Sequence, residues 1–243
     1  MSARQRIDGQ LAWILHSYPY SETSLILDVL TRDHGRLPLM ARGARRPRSA
    51  LRGVLQAFQP IELSWFGAGE VRTLAKAEWV GGMALLGGTA LMLGYYLNEL
   101  LLKLLPREDA HPVLFEAYAE TLQALSRGES HASRLRLFEK TLLKELGYGL
   151  ALEREALSGE PLLPERTYHY LIERGPISAS STAEATGAGH LIRGKTLLDL
   201  AADDYSDART LSEGKALMRM LINHHLAGQP LQSRRVFMEL QEF

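Results

Sequence analysis

The segment Arg42-Gly-Ala-Arg45-Arg46-Pro-Arg48-Ser-Ala-Leu-Arg52 holds five arginines in eleven residues of a chain whose formal net charge is zero. No carboxylate occurs from His34 through Ile61, and Arg36 adds a sixth positive charge to that stretch. A guanidinium is a planar, permanently charged fork that suits phosphate oxygens, so this local excess points to a polyanion. A charge run is also what a solvated surface loop looks like. Gly43 and Pro47 hold the segment out of regular structure and keep its arginines displayed, because long cations are seldom buried without a partner.

Catalytic patterns are thin by comparison. His224-His225 falls on a helical stretch, where adjacent side chains diverge by about 100° and cannot face one metal together. There is no HExxH, no GxSxG and no Walker-type lysine loop, and Gly67-Ala-Gly69 lacks the third glycine of a dinucleotide fingerprint. Glu22 and Asp33 stand alone, placed to brace an arginine. The chain has no cysteine, which removes disulfides, thiolate nucleophiles and cysteine-held zinc, and fits a reducing cytoplasm.

Charge is unevenly spread. Residues 1–80 carry eleven Lys/Arg against seven Asp/Glu, while 81–243 carry seventeen against twenty-one. That split implies two units with different partners. The N-terminus has Arg4, Arg6 and Asp8 but no apolar signal region. Twenty uncharged residues, Trp79–Asn98, reach the length of a membrane span. Gly81-Gly82 and Gly87-Gly88 interrupt them, and the run continues with helical spacing into Glu99 and Lys103, so a glycine-rich linker entering a buried helix is expected.

The elements that must position these residues follow from periodicity. Gln10–Ser17, Thr23–Thr31 and Arg36–Ala41 alternate as strands, with turn chemistry at Pro19 and at Asp33-His34-Gly35. Ile61–Phe66 and Val71–Trp79 flank a Gly67-Ala68-Gly69 hairpin loop. Five short strands with a basic insertion after the third predict an oligonucleotide-binding (OB) barrel over 1–80. A helical domain over 81–243 follows: Ala84–Leu105, Pro112–Ser126, Ala132–Leu146, Ile192–Ala202 and Ser212–Ala227. Between them, about 149–181 is broken by proline and glycine around one short helix at Glu165–Arg174. The fold class is therefore α+β. In an OB barrel, aromatic rings stack on bases beside a basic groove. The candidates are Trp13, Tyr18, Tyr20, Phe58, Trp65, Phe66 and Trp79. Leu231-Gln-Ser-Arg234-Arg235 follows the last of these helices, as a solvated tail or as a second docking or DNA-contacting element.

Several segments, in order, resemble the RecO family of bacterial DNA repair proteins. They are His16-Ser-Tyr-Pro-Tyr-Ser-Glu-Thr-Ser24, Thr31-Arg-Asp-His-Gly35, Ala41-Arg-Gly-Ala-Arg-Arg46, Leu55-Gln-Ala-Phe-Gln-Pro60, Tyr95-Tyr-Leu-Asn-Glu-Leu100, Phe138-Glu with Leu146-Gly-Tyr148, and Pro230-Leu-Gln-Ser-Arg234. The likeness spans nearly the whole chain. It implies a cytoplasmic, non-enzymatic mediator without cofactor that binds single- and double-stranded DNA and anneals complementary strands. It further implies that the protein helps RecR load RecA onto DNA coated by single-stranded-DNA-binding protein (SSB). Some members carry a four-cysteine zinc finger; without cysteine, the 149–181 stretch is expected to be its metal-free remnant.

On this resemblance Arg36, Arg42, Arg45, Arg46, Arg48 and Arg52 are the expected phosphate contacts, with Lys76 a further candidate. The acidic, apolar tail of SSB calls for a basic-rimmed apolar receptor on the helical domain, and Arg134, Arg136, Lys140 and Lys144, beside Leu137 and Leu143, supply one candidate helix. Two other readings remain: a scaffold that recruits RecR through the OB domain, or an RNA-binding OB protein. Phosphate neutralisation serves DNA and RNA alike.

Overall fold

A computed structural model describes residues 6–179 and 189–241 of the chain. Five strands form a closed barrel in the order β1-β2-β3-β5-β4. They are β1 (Arg6–Tyr20), β2 (Ser24–Thr31), β3 (Gly35–Ala41), β4 (Ile61–Phe66) and β5 (Arg72–Trp79). This is the expected OB-type barrel. Alternation along each strand sends Ala12, Ile14, Leu27, Val29, Leu37, Leu39, Ile61, Leu63 and Trp65 inward to form its core. The β2–β3 turn needs glycine. Gly35 has φ of +63°, and a Cβ there would lie 2.1 Å from the Asp109 carbonyl oxygen.

β1 departs from simple alternation. Its register against β2 runs Trp13↔Leu30 and Ile14↔Val29, then resumes at His16↔Asp28, so Leu15 is the extra residue of a β-bulge. The Leu15 side chain is buried and its carbonyl accepts a hydrogen bond from Asn98 Nδ2 at 2.8 Å.

The short helix α1 (Leu51–Val54) lies between β3 and β4. After β5 come α2 (Gly88–Leu104), α3 (Pro112–Ser126) and α4 (His131–Glu145). The apolar run from Trp79 becomes helical only at Gly88, and among the described residues no helix is long and apolar enough to cross a membrane.

A three-stranded sheet of order β7-β6-β8 follows: β6 (Thr167–Leu171), β7 (Gly175–Ser178) and β8 (His190–Arg193). The helix expected at Glu165–Arg174 is therefore a strand and a turn. Tyr168 and Tyr170, two apart, both face inward, which is strand periodicity over a segment too short for sequence to separate from a helical one. Likewise His190–Arg193 completes β8, and the helix expected from Ile192 starts at Gly194. Ser180 and Ser181, the end of the proline-broken stretch, lie outside the described residues. The chain ends with α5 (Gly194–Ala201), α6 (Ala208–His225) and α7 (Gln232–Gln241).

Two compact units result. One runs to Glu129 and resumes at Leu231, so it contains the barrel, α2, α3 and α7; the other is Ser130–Pro230. In the first, Tyr118 donates its hydroxyl hydrogen to Asn98 Oδ1 at 2.5 Å, which ties α3 to α2 and, through Leu15, to β1. In the second, α4 and α5 both pack on α6.

Candidate nucleic-acid interface

The basic segment occupies residues 42–50 and runs into α1. Every third residue turns it back: Arg46 N–H donates to Gly43 O, Ser49 N–H to Arg46 O, and Arg52 N–H to Ser49 O, at 3.0–3.2 Å. Gly43 takes the left-handed φ of +69° that opens this series. Ala44 is buried in the barrel core, and Leu51, Val54 and Leu55 pack against the same core. These apolar residues anchor the loop from below. Arg42, Arg45, Arg46, Arg48 and Arg52 are left exposed. Two further bonds fasten the loop to the β1–β2 turn: Arg45 N–H donates to Thr23 O at 2.8 Å, and Arg45 Nη1 donates to Ser21 O at 3.0 Å. Beside them lies an open depression of about 390 Å³, lined by Leu25, Ala44, Leu51 and Leu55 with Arg45 and Arg52.

Arg36 is not part of this display. Its side chain is only 12% exposed; Nη1 pairs with Asp28 Oδ1 at 3.2 Å, and Nε and Nη2 donate to the Leu105 carbonyl at 3.1 and 3.0 Å. Its donors therefore hold the barrel wall to the end of α2. Glu22 and Asp33 are exposed, and the carboxylate that braces Arg36 is Asp28, which sequence reading passed over. Lys76 is exposed on β5 and pairs with Glu78 at 2.7 Å. Its hydrogen bond to Glu78 raises its pKa.

The aromatic candidates divide by burial. Trp13, Phe58 and Trp65 are buried and Phe66 is half-buried. Tyr18, Tyr20 and Trp79 are 43%, 48% and 61% exposed. Tyr18 and Tyr20 precede the turn that carries the Arg45 contacts.

On α4, the four candidate cations differ. Arg136 is buried and pairs with Glu139 at 2.7 Å. Lys140 donates to the Leu200 carbonyl at 2.8 Å and is ion-paired with Asp203. Arg134 is half-buried, and Lys144 is exposed. Helical spacing alone could not tell the face that meets α5 and α6 from the one that meets water. Among the described residues, no three His, Asp or Glu side chains gather as a metal site. His224 instead contacts Glu173 at 3.3 Å, while His225 stacks on Tyr148 with ring centroids 3.7 Å apart.

Residues 9–83 match the family described as Recombination protein O N terminal, and residues 87–235 match Recombination protein O C terminal. The chain belongs to the RecO family. Proteins named DNA repair protein RecO share 57% identity over 242 residues in Aromatoleum aromaticum and 55% over 242 residues in an Azoarcus species. A third, from Dechloromonas aromatica, shares 55% over 245 residues, and in all three the match covers 100% of both chains. The RecO N-terminal match covers the barrel with its arginine loop, and the RecO C-terminal match begins just before α2.

Proposed function

We propose that this chain is a non-enzymatic recombination mediator of the bacterial cytoplasm, acting at the nucleoid during repair. It binds single- and double-stranded DNA and anneals complementary strands. With RecR, it helps load RecA onto single strands coated with SSB. One observation carries this reading: five exposed arginines sit on one loop and the short helix α1 that follows it, whose apolar residues are anchored in the barrel core. Annealing requires phosphate neutralisation on two strands while base edges stay free to pair, and guanidinium forks on a loop meet that need without reading sequence. Arg42, Arg45, Arg46, Arg48 and Arg52 are the proposed phosphate contacts, with Lys76 at the margin. Arg36 supports them from within. The acidic tail of SSB is proposed to dock on α4, with Lys144 as its exposed cation.

The test is annealing of complementary oligonucleotides by the wild type and by a variant with Arg42, Arg45, Arg46 and Arg48 changed to alanine, folding being checked by circular dichroism. Wild-type annealing that is lost in the folded variant supports the mediator. Equal annealing by both moves the DNA site elsewhere. No annealing by either favours a scaffold that recruits RecR, and preference for RNA strands favours the RNA-binding alternative.

A further inference from the structure

In β1, Ala12 and Ile14 point into the barrel. Unbroken alternation would send His16, Tyr18 and Tyr20 inward after them. The bulge at Leu15 reverses the phase. His16 comes opposite Asp28, Tyr18 opposite Ile26 and Tyr20 opposite Ser24, while Leu25 and Leu27 on β2 keep facing the core. The two tyrosines therefore stand on the outside of the barrel, next to each other on one face. Beside them lie Ile26 and its β3 partner Met40, both half-buried. His16 meets the Tyr18 ring edge-on at 4.4 Å and supports it from one side. The strand leads directly into Ser21 and Thr23, whose carbonyls hold Arg45.

We infer that Tyr18 and Tyr20 form a two-rung base-stacking ladder specific for single-stranded DNA, placed on the outer face by the Leu15 bulge and continuous with the arginine loop. This rests on the DNA-binding reading above and adds to it a division of labour. Side chains two apart on a strand are separated by about 6.8 Å, roughly twice the ~3.4 Å repeat of stacked bases in a duplex. Bases that are already stacked cannot open to both rungs. An unstacked single strand can, and stacking on each ring is tolerant of sequence because every base has a π-face. The arginines meet phosphates in either form; the tyrosines discriminate. Burial, then the nearby Asp28 charge, raises the Tyr18 pKa above 10.0, so the ring stays neutral beside phosphate.

The experiment compares binding of three labelled probes by fluorescence anisotropy: a short oligothymidylate, an abasic oligonucleotide with the same number of phosphates, and a duplex. The proteins are wild type, Tyr18→Thr with Tyr20→Thr, and Tyr18→Phe with Tyr20→Phe. Threonine keeps strand propensity at these exposed sites. Wild type should bind oligothymidylate about tenfold or more tighter than the abasic probe. The threonine pair should lose that margin yet bind the abasic probe and the duplex as wild type does, and the phenylalanine pair should keep it. Equal wild-type affinity for the two single-stranded probes overturns the ladder without needing any variant. So does a threonine pair that leaves oligothymidylate binding intact, or that weakens all three probes alike. Wild type that binds no probe sinks the DNA-binding reading itself, and the ladder with it.

Discussion

The Glu99 carboxylate caps a helix that lies far along the chain: Oε2 accepts the Ser233 backbone N–H at 2.9 Å and the Ser233 hydroxyl at 2.6 Å. Oε1 takes the Gln232 N–H at 2.8 Å. A charge on α2 thus satisfies the free donors at the start of α7 and complements its dipole.

Replacing Glu99 by glutamine should fray α7 at a cost of about 1–2 kcal/mol, read as faster amide exchange in Gln232–Gln241. The same contact predicts a pH response. Burial pushes the Glu99 pKa up, but the bonds from Ser233, Gln232 and Lys103 outweigh it and hold the group below its ordinary 4.5. A depressed carboxylate pKa contributes stability that is complete above the unfolded value and is lost as pH falls through the folded one. Protection of α7 should therefore hold at neutral pH and decline below about 4.5, and the glutamine variant should lack that decline.

Asn98 predicts a second, larger effect. Its side chain accepts from the buried Tyr118 hydroxyl and donates to the Leu15 carbonyl. Asn98→Leu leaves both groups buried without that partner, at about 1–3 kcal/mol each. Tyr118→Phe removes a single hydroxyl and should cost less. Urea unfolding should rank the two in that order. The opposite order would mean that Asn98 does not hold the bulge.

Salt dependence checks the loop quantitatively. If four or five arginines contact a single strand, the log–log slope of affinity against salt should be roughly −3. Arg45→Ala and Arg46→Ala together should reduce its magnitude by about 1.4. A slope near zero in the wild type would remove the electrostatic account.

The Tyr148–His225 stack predicts acid sensitivity in the unit Ser130–Pro230. Burial, followed by the neighbouring His224, lowers the His225 pKa below 6.5, against a smaller opposing effect of Glu173. The unfolded imidazole then takes up a proton before the folded one does. Stability is thus full above about 6.5, declines as pH falls below it and levels off once the folded ring protonates. His225→Phe keeps a ring on Tyr148 and should flatten that decline, as monitored by amide exchange in α6.

Much of the barrel is legible in the sequence. Short alternating runs, a glycine at the β2–β3 turn and an arginine loop after β3 are local patterns, and each is set by residues a few positions apart. Helices α3, α4 and α6 were equally legible, since their apolar period repeats over several turns. The strand β6 was not, because five residues bounded by a turn cannot declare their period.

What the amino-acid sequence determined by itself was the five barrel strands, the long helices α2, α3, α4 and α6, and the one segment in which positive charge has no local answer. Tertiary structure decided which of those cations remain on display. Arg36 looks like its neighbours along the chain, yet strand pairing brings it Asp28; Arg136 has Glu139 one helical turn away, and packing decides that this pair is buried. It also decided which way Tyr18 and Tyr20 point. The phase of β1 depends on where its register against β2 slips, at Leu15, and that slip is held by Asn98 on α2. A side chain's facing is a property of the pairing between strands, and no single strand's sequence contains it.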